Sequence, residues 1–203
     1  MLKRALYIST NSRKELDMAR KENIYTMDLL LEYAKIFPEN ADMGNPDGNT
    51  YQKQLHNNGG QFIVNGYFTS EDQIDTLTKG GMDLKPMGND RIISGNADLG
   101  IGKYIKLKRK VDDLKKFTNR NGEEVEIQYG GAPTVVNLTE GRENKRLWDY
   151  NGDGLLGNGT KAKVQFELYR DGVGVRLLNV GITEHVPYED NNVLTEDDEL
   201  FIV

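Results

Sequence analysis

The stretch KAKVQFELYRDGVGVRLLNVGI, residues 161–182, decides the fold class. Its first half alternates. Ala162, Val164, Phe166 and Leu168 fall on one side of an extended chain, and Lys161, Lys163, Gln165, Glu167 and Tyr169 fall on the other, which is the pattern of a half-buried β-strand. The next residues, RDGVG, form a tight reversal with Asp171 and Gly172 at its tip, and the chain returns as a second strand with apolar residues on both faces. Phe166 belongs to the aliphatic face and is assigned to the core. Arg176 stands between apolar neighbours, either as a groove cation or as the buried partner of a carboxylate.

Just upstream, Asp149, Asn151, Asp153 and Gly154 match the first half of a calcium-binding loop. Position twelve of that loop is Thr160, which cannot supply a bidentate carboxylate, and no amphipathic helix flanks the stretch. The segment therefore reads as a Gly/Asn/Asp turn leading into the hairpin.

Working outward, QFIVNGYF (61–68) and GKYIKLKRKV (102–111) read as further strands, and EEVEIQYGGAPTVVNLT (123–139) supplies more strand material around a glycine turn. In the second of these, Ile105, Leu107 and Val111 share one face, which Arg109 interrupts; Tyr104, Lys106, Lys108 and Lys110 share the other. Clustered lysines on one face repel one another unless an anion neutralises them. Ser70 and Gln73 cap a short helix stopped by Gly80 and Gly81, and Ser12 with Glu15 could cap another. IYTMDLLLEY (24–33) is ambiguous between strand and helix, and residues 38–60, rich in Gly, Asn, Asp and Pro, read as a long loop. Many short strands between glycine-rich turns predict a mainly β barrel or sandwich.

The chain lacks cysteine and holds only His56 and His185, which excludes disulfides, thiolate chemistry and a histidine-rich metal site. With no apolar run of bilayer length and no secretory core near the N-terminus, a soluble cytosolic protein without membrane contact is expected. The formal charge of −6 suggests at first a poor fit to nucleic acid. From Glu184 to Val203, however, there are seven acidic residues and no lysine or arginine; removing those seven from the 32 leaves 25 against 26 Lys and Arg. The negative excess thus lies in a tail that ends in Leu200, Phe201, Ile202 and Val203, which has the make-up of a docking element.

Three features follow one another along residues 91–188: a basic strand, a tryptophan followed by GNGT and an alternating strand, and GVGVRLLNVGI ahead of an acidic end. In this order they resemble the acidic-tailed, OB-fold single-stranded-DNA-binding proteins encoded by bacteriophages. The 38–60 segment and two residues beyond Phe201 depart from that pattern. The resemblance implies an OB-fold-like five-stranded barrel with inserted loops and one or two short helices over residues 1–187, and an acidic tail over 188–203. It further implies sequence-nonspecific binding in phage replication or recombination, in the cytoplasm of the infected bacterial host, with no enzyme activity and no cofactor. Polymerase or helicase would be recruited through the tail (Glu196, Asp197, Asp198, Glu199, Phe201), and a homodimer is common in the family.

Such binding needs cations that track phosphates and aromatic faces on which bases stack. The candidate cations are Lys106, Lys108, Lys110, Lys145, Arg146, Lys161, Lys163 and Arg176. The candidate rings are Tyr104, Trp148, Tyr150 and Tyr169, with Trp148 open to a core reading as well. The expectation is that all of these line one continuous trough. The alternative function is a metal-dependent nuclease or phosphodiesterase built on Asp149, Asn151 and Asp153.

Overall fold

The computed structural model describes residues 23–118 and 121–189. The Ser12–Glu15 cap and the tail residues from Asp190 onward lie outside them. The strands are β1 (Ile24–Lys35), β2 (Gln61–Phe68), β3 (Ile92–Ser94), β4 (Lys103–Lys110), β5 (Leu114–Thr118), β6 (Glu124–Gln128), β7 (Thr134–Asn137), β8 (Arg146–Leu147), β9 (Thr160–Tyr169) and β10 (Gly174–Glu184). The helices are α1 (Thr50–Asn57) and α2 (Glu71–Lys79). Eight strands form one sheet in the order β3-β4-β2-β1-β9-β10-β7-β8, while β5 and β6 pair as a separate hairpin.

The period-two pattern of β9 holds throughout: Ala162, Val164, Phe166 and Leu168 are buried, and the alternate residues face outward. Antiparallel pairing to β1 on one side and β10 on the other brings Met27, Leu29 and Leu31 onto the same buried face, so the ambiguous 24–33 segment is a strand. From β2 come Val64 and Phe68, and from β4 Ile105 and Leu107, completing a core held between β4, β2, β1, β9 and β10.

In β10 the register slips between Leu177 and Asn179, leaving Leu178 as an extra residue, and a bulge of this kind bends the strand. Inward positions accordingly change phase, from Val175 and Leu177 to Val180 and Ile182. Bending carries β10 alongside β4, yet no backbone ladder joins the two, so the expected barrel is left open at this seam. Arg109 spans it instead: Nη1 donates to the Leu178 carbonyl at 3.4 Å and Nη2 to the Gly130 carbonyl at 2.8 Å. The residue that breaks the apolar face of β4 is the one that bridges the opening.

The 38–60 segment is not the long loop its composition suggests. It contains a 3₁₀ turn at Pro38–Asn40 and helix α1, whose first turn is capped by the Asn49 side chain accepting from the Gln52 amide at 3.0 Å. Helix α2 forms as expected, with Ser70 and Gln73 in a capping box. Among the described residues no helix is long and apolar enough to cross a membrane.

Phe166 is 0 % exposed at the centre of this core. Phe166→Ala should lower unfolding free energy by about 3–5 kcal/mol, measured by urea denaturation followed by far-UV circular dichroism; a loss below about 1 kcal/mol would contradict the packing described.

Candidate nucleic-acid interface

Beside the seam lies a cleft of about 700 Å³. Its floor and one wall come from the end of β4 (Lys108, Arg109, Lys110), with Asp113, Lys115 and Tyr129 continuing the rim. The opposite wall is Glu167 and Tyr169 of β9, Arg170 and Val173 of the turn, and Val175 and Arg176 of β10, with Arg91 reaching in ahead of β3. Seven cationic side chains thus face two carboxylates and two tyrosines. A concave wall with such an excess of one sign focuses its field on an anion.

Arg176 organises the middle of the cleft. It is ion-paired to Glu167, and its guanidinium lies 4.8 Å from the Tyr129 ring centroid and 5.6 Å from that of Tyr169. Arg170 lies 5.8 Å from the centroid of the same Tyr169 ring. The result is a cluster of cations and rings, with Tyr169 itself 38 % exposed. Burial and the neighbouring Arg176 push the Arg109 guanidinium below the usual arginine range, and burial does the same to Arg91. An arginine remains charged under such shifts, so both add to the field.

Two carboxylates partly offset this charge. Asp113 accepts from Lys115 at 2.9 Å and from Lys110 at 3.3 Å, and these bonds, the one from Lys115 first, hold its carboxyl below the usual range. Among the described residues Arg91, Lys108, Arg109 and Arg170 have no carboxylate within ion-pair distance. They are the unneutralised cations of the cleft.

The turn that presents Arg170 is unusual. Arg170 and Asp171 both adopt positive φ, at 53° each, and Gly172 follows at 81°. Left-handed backbone at two consecutive non-glycine residues persists only when the surroundings enforce it. Here the Asp83 amide donates to the Gly172 carbonyl at 3.2 Å, and Arg91 donates to that of Val173. A Cβ at Gly172 would sit 1.8 Å from the Gly81 carbonyl oxygen, so the turn is seated on the loop after α2.

Of the residues expected to share one trough, Lys108, Lys110, Tyr169 and Arg176 do meet in this cleft. Of the two positions open to Arg176, the structure shows it paired to a carboxylate, Glu167, at the lining of the cleft. Tyr104 and Lys106 lie on β4 outside the lining of the cleft, the Tyr104 ring resting 5.0 Å from Tyr67. Tyr67 is itself fixed by donating to Glu32 at 3.0 Å and accepting from the Asn96 amide at 2.9 Å.

The remaining candidates are elsewhere, and the single trough is corrected to separate surfaces. Lys145 and Lys163 line a second cleft of about 330 Å³ on the outer side of β9 and β10. Lys163 is held by both oxygens of Asp28, at 2.7 and 3.0 Å, and Lys161 by Glu184 at 2.5 Å. Tyr150 packs edge-on against Phe37. Trp148 is a core residue, 8 % exposed, with its indole N–H donating to Gly154 at 3.0 Å and its ring edge-on to His185. As placed, it offers no face to a base.

The aspartate turn is engaged within the protein. Asp153 accepts from both terminal nitrogens of Arg146 and from the Asp149 amide at 2.9 Å, while Asp149 accepts from the Asn151 amide at 3.1 Å. Among the described residues no cluster of three or more His, Cys, Asp or Glu could hold a metal ion. The GNGT stretch is likewise a clamp. The Gly159 amide donates to Leu31 at 2.8 Å, and Asn158 accepts from the Tyr33 amide at 3.0 Å, where β1 bulges.

Arg91, Lys115, Tyr129 and Arg170 were not among the expected site residues. They come from turns, a strand start and a loop, without periodicity, and only the topology assembles them. Arg109 did leave a signal, as the cation interrupting an apolar face.

No family model matches the sequence, and no curated protein matches it. Among solved structures the chain is similar to the single-stranded DNA-binding protein from bacteriophage Enc34, at 12 % identity and a TM-score of 0.46, over 89 % of this chain and 91 % of that one.

Arg146 draws the Asp153 carboxyl down to about 2, against 3.8 for a free aspartate, with burial opposing and the Asp149 amide assisting. A depressed folded value means that the stabilisation is complete above the unfolded value and is lost as pH falls from about 4 towards 2. Asp153→Asn should therefore unfold more easily than the parent at pH 7, and the gap in urea midpoints should narrow at pH 3. A gap independent of pH would show that the pair does not contribute.

Proposed function

We propose that this chain binds single-stranded DNA without sequence preference, through the cleft at the β4–β10 seam. The observation that carries the reading is the seven-to-two cation excess around two tyrosines in one open groove. Lys108, Lys110, Lys115 and Arg170 would contact phosphates, and Tyr169 and Tyr129, both in contact with Arg176, would stack bases. Lys106 and Tyr104 extend the path along β4. Duplex DNA keeps its base faces stacked inside, so a groove of this kind favours single strands.

The strand order β4-β2-β1-β9-β10 with an open seam between its ends supports reading the barrel as an OB-fold, a partly open five-stranded Greek key. With the sequence motifs described above, it supports a place in phage replication or recombination within the infected bacterial cell. A binding protein is favoured over a nuclease because Asp153 is occupied by Arg146. The acidic segment 188–203 is proposed to compete with DNA for the cleft from a tethered, locally high concentration, and to recruit a polymerase or helicase when displaced.

A salt titration tests the groove directly. Fluorescence anisotropy with labelled single strands should give log K falling linearly with log salt, by about 0.7 per phosphate contacted. Lys110→Ala and Arg170→Ala should each reduce that slope. Tyr169→Ala should weaken binding by about 1–3 kcal/mol with the slope unchanged. A slope that responds to Lys145→Ala and Lys163→Ala instead would move the groove to the second cleft.

For the tail, deletion from Glu189 onward should raise affinity at low salt, and the gain should fade at high salt. An affinity unaltered at low salt would reject the competition.

A further inference from the structure

Helix α1 sets an aromatic ring beside the cleft but outside it. Tyr51, in the first turn of the helix, is 47 % exposed, unusually open for a residue so firmly held. Its hydroxyl accepts from Gln61 Nε2 at 2.8 Å and from Lys108 Nζ at 3.4 Å, and the Lys108 ammonium lies 5.5 Å from the ring centroid. Both donors belong to residues that line the cleft.

The helix is itself fixed to the sheet. Asp42 and Gln61 exchange backbone hydrogen bonds at 2.9 Å each, Leu55 is buried, and Gly44 approaches so closely that a Cβ there would lie 2.5 Å from the His56 nitrogen. The ring therefore has a set position and orientation before any ligand arrives, and little entropy is lost when something stacks on it.

We propose that Tyr51 is a separate base-stacking subsite that takes a nucleobase of the strand bound in the cleft, with Lys108 holding the phosphate between the two. This inference rests on the cleft being the nucleic-acid groove. A phosphate oxygen hydrogen-bonded to Lys108 would lie at most roughly 8 Å from the ring centroid, given a charge-assisted bond of about 2.8 Å. One nucleotide spans such a distance. The base attached to that phosphate would cover the exposed ring, and the ammonium would exchange its weak contact with the ring for a full anionic partner. The 38–60 segment, which departs from the motifs carrying the family resemblance, would then lengthen the groove by one stacked base.

Tyr51→Ala and Tyr51→Phe, compared with the parent chain by anisotropy on a labelled oligothymidylate over a range of salt, separate the possibilities. The Ala variant should bind roughly five- to a hundredfold more weakly with an unchanged salt slope, and the Phe variant, which keeps the ring and loses the hydroxyl, should bind like the parent. Urea midpoints within error of the parent would show both variants folded; if Tyr51→Ala unfolds, the comparison of Tyr51→Phe with Tyr51→Leu takes its place. Parent-like binding by the Ala variant would overturn the subsite while leaving the cleft intact. So would equal weakening in Ala and Phe, because the hydroxyl contacts would then be what matters. Absence of oligonucleotide binding by the parent chain would sink the functional reading itself, and the subsite with it.

Discussion

Arg109 stands where a closed barrel would have a backbone ladder. The bulge at Leu178 frees a carbonyl from the ladder geometry of β10, and the guanidinium reaches across to it and to Gly130. A strand pair joined along its length would leave no room between β4 and β10. A single planar cation with several donors holds the two strands near each other and still leaves a cleft beside them. The positive charge that bridges the open seam is also part of the field that an anion would meet.

Three further constraints follow from that opening. The turn between β9 and β10 must lean over it, and does so by resting on the loop after α2 through Gly172. The rings must stay within reach of one cation, and Arg176 contacts both Tyr129 and Tyr169. Finally, the carboxylates must remain few. Glu167 holds Arg176 and Asp113 holds Lys110 and Lys115, so both have positioning roles, and the cations of the cleft still outnumber them.

Much of the scaffold was legible because period two is a strong signal where one face is buried. β9, β2, the lysine face of β4 and the capped helix α2 agree with the sequence reading. Helix α1 was not legible, since Asn, Gly and Asp dominate its neighbourhood and Leu55 is its one buried residue. Burial of Trp148 was open in the sequence; the adjoining Leu147 is the exposed one of the pair, a reversal set by the short strand β8. The site was half visible. Alternation says which way Lys161 and Lys163 point, but not that Glu184 and Asp28 stand beside them, because that needs cross-strand register over long separations. In the same way the cleft gathers Arg91, Tyr129 and Arg170 from segments that carry no pattern of their own.

The large sheet ends in β3 and β8, three and two residues long. Exposed strand borders are where chains add to one another and aggregate, and nature blunts them by shortness and charge. Here both borders are too brief to template a neighbour, and β8 carries Arg146. At those two borders the large sheet of one molecule gives a second copy little backbone to pair with.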